Sequence, residues 1–124
     1  MNARLALTLA AALLFAAVGL GAFGAHALRE RLAPDLATVY QTAVQYHFWH
    51  ALGLLAIGIL LTQRPESGLL AAAAWLIVAG IVLFCGSLYA VALTGIRGLG
   101  AVTPFGGVAF LAAWAVLAWA AFRS

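Results

Sequence analysis

The sequence predicts an all-α membrane protein, in which four transmembrane helices form a compact bundle with a short amphipathic segment between helices 1 and 2. Hydrophobic residues make up 67% of the 124 residues and charged residues 7%, and the mean hydropathy is +1.13. An average soluble domain is about 45–50% apolar and about 25% charged. The chain therefore lacks the polar surface that a water-soluble globule needs, and it has too much apolar surface to remain disordered.

The few charged residues divide the chain into four uncharged stretches with the lengths that membrane-crossing helices need. These stretches comprise residues 5–28, 36–63, 67–96 and 98–122. Crossing about 30 Å of hydrocarbon takes roughly 20 helical residues, so each stretch holds one crossing and none holds two. A membrane β-barrel is excluded because its strands alternate in polarity over about 10 residues, whereas a run such as 69–84 is continuously apolar.

The first crossing is expected over residues 5–25. The alternative is a secretory signal peptide, because Arg4 precedes the apolar run and Ala25-His26-Ala27 fits a small-x-small cleavage site. The run is longer than the apolar core of a typical signal peptide, and three further hydrophobic stretches follow it, so a retained helix is favoured.

Residues 29–45 form the most polar part of the chain. Pro34 and Asp35 are typical of a helix start, because proline suits the first helical position and a carboxylate favours the helix dipole there. Apolar residues recur at helical spacing from Leu36 to Val44, with threonine and glutamine on the other side. This amphipathic segment either lies at the membrane interface or extends the second helix out of the bilayer. The second crossing is expected over residues 47–61.

Short turn signals bound the last two crossings. Residues 63–67, with the sequence Gln-Arg-Pro-Glu-Ser, predict a turn before a third crossing over residues 68–93. A glycine-rich connection follows, and Thr103-Pro104 is typical of an N-cap with proline at the first helical position. The fourth crossing is expected over residues 105–122, so residues 1–124 are assigned to a single membrane domain.

Four crossings place both termini on one side of the membrane. That side carries Arg4, Arg64 and Arg123, and the opposite side carries Arg29, Arg31 and Arg97. The positive-inside rule therefore gives a tie, and only the N-terminal amine favours cytoplasmic termini. Single, scattered arginines are typical of headgroup contacts, so we expect the lipid bilayer as partner and no nucleic acid. A membrane-protein partner and a homo-oligomer both stay open.

Polar side chains mark the predicted ends of the crossings. Tyr46 and His50 lie near the start of the second crossing, His26 ends the first, and three hydroxyl residues flank the 3–4 connection. The 1–2 and 3–4 connections share one side of the membrane. We therefore expect one polar site near a single face, with the members His26, Tyr46, His50, Ser87, Tyr89 and Thr103. A structural hydrogen-bond cluster that locks the bundle is the favoured interpretation, because polar groups in a membrane must find partners.

Catalytic and cofactor-binding interpretations are weaker. The three histidines and Cys85 offer soft ligands for copper or zinc, but no carboxylate falls within a crossing, so no metal is expected. A Ser–His hydrolase needs an orienting acid and an oxyanion hole, and neither is visible, so no enzyme is expected. Residues 19–24 match G-x-G-x-x-G but lack the strand that precedes a dinucleotide site, so no cofactor is expected.

Four short motifs occur in order along the chain: GAFGAHAL at residues 21–28, AVQY and HAL within residues 43–52, FCGSLY at residues 84–89, and TPFGG at residues 103–107. In this combination the chain resembles the family known as domain of unknown function 423, which includes bacterial YgdD-like inner-membrane proteins and relatives of vertebrate transmembrane protein 256. The resemblance covers nearly the whole chain. It implies four transmembrane helices in a bacterial plasma membrane, and no established activity.

The resemblance also bears on the histidines. His26 and His50 match the family pattern, whereas His47 departs from it, since a polar residue other than histidine is expected there. This departure weakens a metal site that needs both His47 and His50.

The expected function is that of a small multi-pass inner-membrane protein with a structural or interaction role. The alternative is a small transporter, or a membrane protein that binds a ligand or metal at a polar site on one face. A transporter needs a solvated cavity, and four short helices enclose little volume unless they oligomerise.

Overall fold

The computed structural model describes residues 1–124 and consists of helices and their connections. The five α-helices are α1 (Ala3–Phe23), α2 (Pro34–Gln63), α3 (Gly68–Gly80), α4 (Gly86–Thr94) and α5 (Thr103–Phe122). A π-helical turn at Gly24–Leu28 extends α1, and a second π-helical turn at Ile81–Cys85 joins α3 to α4. A 3₁₀-helix at Arg97–Val102 precedes α5. The predicted all-α class is confirmed.

Four continuous helical stretches are long and apolar enough to cross a membrane. They are Ala3–Leu28, Pro34–Gln63, Gly68–Thr94 and Arg97–Phe122, and they are called the first to fourth span below. At 1.5 Å per residue, the 30 residues of the second span extend about 45 Å. The hydrocarbon core is about 30 Å thick, so this span continues into the headgroup region.

The amphipathic segment predicted between helices 1 and 2 is the first part of α2. This helix starts at Pro34, carries Asp35 in its first turn and runs unbroken to Gln63. Of the two arrangements that the sequence left open, the structure shows the extension of the second helix. Residues 35–52 contain no glycine or proline that would end the helix. The helix therefore continues past the edge of the hydrocarbon core.

The bundle is built around α2, the most buried span. α2 packs against α1 on one side and against α3 and α4 on the other, while α5 packs against α3 and the π-helical turn that follows it. Neighbours in the sequence are therefore neighbours in space. The main core consists of aliphatic and aromatic side chains from all four spans, among them Ala10, Leu54, Ile57, Ile77 and Phe110.

The segments before α2 and before α5 meet at one end of the bundle. Asp35, at the start of α2, forms an exposed ion pair with Arg97, the first residue of the 3₁₀-helix that precedes α5. At the opposite end, the 2–3 turn and the C-terminal residue Ser124 line a common hollow. The end that holds residues 24–48 and 84–103 is called the connection end below.

Candidate functional site

The first two spans are joined at the connection end by Tyr40. Its side chain is buried, and its hydroxyl donates a hydrogen bond to the backbone carbonyl of Leu20 on α1. The tyrosine ring lies so close to Gly24 that a Cβ there would overlap it. Gly24 of the GAFGAHAL motif has no side chain, and the Tyr40 ring therefore fits against it.

The second and third spans are joined by His47 of α2 and Tyr89 of α4. His47 is only 4% exposed, and its Nδ1 lies 2.9 Å from the Tyr89 hydroxyl oxygen. Its Nε2 is buried and has no hydrogen-bond partner. The His47–Tyr89 hydrogen bond is therefore the one side-chain bond that the buried imidazole makes.

The third and fourth spans are joined by two hydroxyl groups. Ser87 Oγ lies 2.5 Å from Thr103 Oγ1 and 2.9 Å from the carbonyl oxygen of Phe84. Since the carbonyl can only accept, Ser87 donates to it and accepts from Thr103. The expectation that Thr103 caps α5 is wrong, because Thr103 is the first residue of that helix and no side chain caps it. The hydroxyl of Thr103 bonds across the helices instead.

The close approach of α5 to the π-helical turn at Ile81–Cys85 depends on Gly106. A Cβ at this position would lie 2.7 Å from Cα of Phe84, closer than any real side chain can come. Gly106 of the TPFGG motif and Phe84 of the FCGSLY motif therefore form one close packing contact.

Together these hydrogen bonds form a belt between the helices. The interhelical belt consists of Leu20, Tyr40, His47, Ser87, Tyr89 and Thr103, and it links the four spans in chain order. In lipid the hydrophobic effect does not drive helices together, so close packing and interhelical hydrogen bonds of about 0.6 kcal/mol each contribute instead. The belt therefore stabilises the packing of the four spans against one another.

A separate hollow lies beside the belt, between α2 and α5. This aromatic cleft has a volume of about 400 Å³ and is lined by Tyr46, His50, Phe84, Pro104, Gly107, Val108, Phe110, Leu111 and Trp114. The His50 ring stacks on Phe110, with centroids 3.5 Å apart and an interplanar angle of 14°. His50 Nδ1 lies 2.8 Å from the carbonyl oxygen of Tyr46.

The six residues predicted as one polar site are distributed over three places. Ser87, Tyr89 and Thr103 belong to the interhelical belt, and Tyr46 and His50 line the aromatic cleft. His26 is exposed and lies in a surface hollow formed by residues of its own turn, 25–31. His26 and His50 do not share a hollow, because His26 follows α1 directly whereas His50 lies more than four turns into α2.

Sequence reasoning left Tyr40 and His47 out of the site. Both are buried on α2, and they lie four residues before and three residues after Val44, which is also buried. This helical spacing is the sequence signal that could have placed them on the buried face. The three histidines and Cys85 do not assemble into a group of metal-ligating side chains, since His26 is at the surface and Cys85 lies in the apolar core.

Comparison with known proteins finds clear relatives. A family model described as "Protein of unknown function (DUF423)" matches residues 20–107, a range that includes all four motifs and the whole belt. The UPF0382 membrane protein YwdK of Bacillus subtilis (strain 168) is 49% identical, with 86% of this chain and 87% of that protein covered. A UPF0382 membrane protein of Staphylococcus saprophyticus is 47% identical, with 86% and 88% covered. No solved structure matches the chain significantly.

Proposed function

The chain belongs to the DUF423 family of membrane proteins, for which no activity is defined, and from this premise we propose a structural or interaction role in the membrane without catalysis. The observation that carries this proposal is the interhelical belt. Its hydroxyl and imidazole groups bond to one another or to backbone carbonyls of neighbouring helices. A general acid or base must instead reach a proton on a substrate, so these groups serve the bundle itself.

The outer surface of α1 is the surface that a membrane partner would contact. The first span is the least buried of the four. A hollow of about 440 Å³ on its outer side is lined by Ala11, Leu14, Phe15, Val18 and Gly19. A Cβ at Gly19 would have no neighbour within 4 Å. Small residues on a lipid-facing helix allow a second helix to approach closely, which supports an interaction through α1.

Site-specific photo-crosslinking in native membranes tests this proposal. A benzophenone amino acid at Val18 on α1 is expected to give a protein adduct of defined mass. The matched control is Val82 on the third span, which is similarly exposed (64% against 59%) and is expected to give none. Gly19→Leu, which has room in the fold, is expected to abolish the adduct from position 18. Equal results from positions 18 and 82 would contradict an interaction through α1.

We also propose that the membrane is the bacterial plasma membrane, with both termini in the cytoplasm. The similar proteins are named membrane proteins and come from bacteria. Because the two sides of the membrane carry equal numbers of arginines, the N-terminal amine is the group that favours cytoplasmic termini. Green fluorescent protein fused after Ser124 is expected to fluoresce, since it folds in the cytoplasm. An active alkaline phosphatase fused at the same point would show the opposite orientation.

A further inference from the structure

His50 presents an unpartnered acceptor inside the membrane. The side chain is 6% exposed, and its Nδ1 bonds to the carbonyl of Tyr46. Because a carbonyl can only accept, Nδ1 carries the proton, and the neutral ring leaves Nε2 as an acceptor. No group of the chain bonds to this Nε2, and it is not sealed in the bundle as Nε2 of His47 is. Since His50 lines the aromatic cleft, the free acceptor is available there.

The depth of His50 determines where an occupant comes from. About 24 Å of helix separate it from the start of α2, and about 20 Å separate it from the end at Gln63. His50 thus lies within the hydrocarbon thickness, where water is scarce and an unpaired polar group is costly. The residues at the rim of the cleft, Val108 and Leu111, are exposed on the outer side of α5. The cleft therefore opens toward lipid, and its occupant is lipid-soluble.

The walls of the cleft indicate the shape of that occupant. Tyr46 and Phe84 have ring centroids 4.5 Å apart, and those of His50 and Trp114 are 5.8 Å apart. Aromatic rings pair favourably at about 4.5–7 Å, so a further planar ring finds partners in this wall. The volume of about 400 Å³ falls in the range of about 300–1,000 Å³ that is typical of small-molecule sites.

We propose that the aromatic cleft binds a lipid-soluble molecule with a hydroxylated aromatic ring, whose hydroxyl donates a hydrogen bond to Nε2 of His50. Simple phenols and quinols share this chemistry. The inference goes beyond the proposed interaction role and is independent of the α1 surface.

Nitrogen NMR of the full-length protein in detergent micelles provides the test, with 15N-labelled histidine and 4-butylphenol as the probe. Saturable binding is expected to shift the Nε2 signal of His50 and leave that of exposed His26 unchanged. The matched ligand 4-butylanisole has the same ring without a donor, and we expect it to bind about tenfold more weakly, the equivalent of one hydrogen bond. 4-Butylphenol and a short-chain quinol are expected to compete with each other.

Two variants separate the hydrogen bond from the cleft. His50→Phe keeps a ring to stack on Phe110 but removes the acceptor, so it is expected to bind 4-butylphenol and 4-butylanisole equally, with the indole signal of Trp114 as readout. Gly107→Val narrows the cleft at a position where a Cβ meets Phe84 only at 3.9 Å, and it is expected to lose both ligands.

Equal affinity of the wild type for both ligands would overturn the proposal. Parallel, non-saturating shifts of His26 and His50 would do so as well. If His50→Phe does not fold, the wild-type preference and Gly107→Val decide the matter.

Discussion

Replacing Gly106 with alanine is expected to lower the free energy of unfolding by about 3 kcal/mol, the upper part of the range for overpacking. The added methyl group would lie 2.7 Å from Cα of Phe84 and overlap the amide nitrogen of the same residue. Backbone cannot rotate aside as a flexible side chain can, so α5 must move away from the turn at Ile81–Cys85. This movement also separates Thr103 from Ser87 and so breaks one bond of the belt.

Gly107→Ala is the matched control for this substitution. A Cβ at Gly107 meets only ring atoms of Phe84, at 3.9 and 4.0 Å, so we expect a change within about 0.5 kcal/mol. Both variants are compared by reversible unfolding in mixed micelles, with helical circular dichroism as the signal. Equal losses for the two neighbours would contradict the close contact described between α5 and the π-helical turn.

The number and type of the spans could be predicted because each one is an uninterrupted apolar stretch of sufficient length. The start of the second helix could not be fixed in the same way. Hydropathy locates the hydrocarbon, whereas helix ends depend on local backbone signals. Pro34 and Asp35 provide those signals well before the apolar part of α2 begins, so the helix extends beyond the crossing expected over residues 47–61.

The pairing of polar groups could be predicted only in part. Topology places Ser87 and Thr103 at the same end, but which side chains meet depends on how each helix is rotated about its axis. The π-helical turns at Gly24–Leu28 and Ile81–Cys85 change this rotation, and no hydrophobic period in the sequence signals them. For this reason His26 could be assigned to the correct end of the bundle and still lie apart from His50.

Tyr89→Phe is expected to lower the free energy of unfolding by about 1–3 kcal/mol, since it leaves a buried polar group without its partner. His47 already has a poorly satisfied Nε2, and this substitution also removes the hydroxyl from its Nδ1. His47→Leu combined with Tyr89→Phe replaces both partners by apolar groups. The double variant is therefore expected to lose less than the sum of the two single losses.

The coupling free energy between His47→Leu and Tyr89→Phe, measured by unfolding in mixed micelles, tests most directly whether the interhelical belt holds the spans together. We expect a coupling of about 0.5–1.5 kcal/mol, within the range measured for hydrogen bonds between membrane helices. The control pair is Thr62→Val and Tyr89→Phe, because the Thr62 hydroxyl bonds only to Ile59 of its own helix; its coupling is expected to be near zero. A His47–Tyr89 coupling no larger than that of the control pair would contradict the interhelical belt.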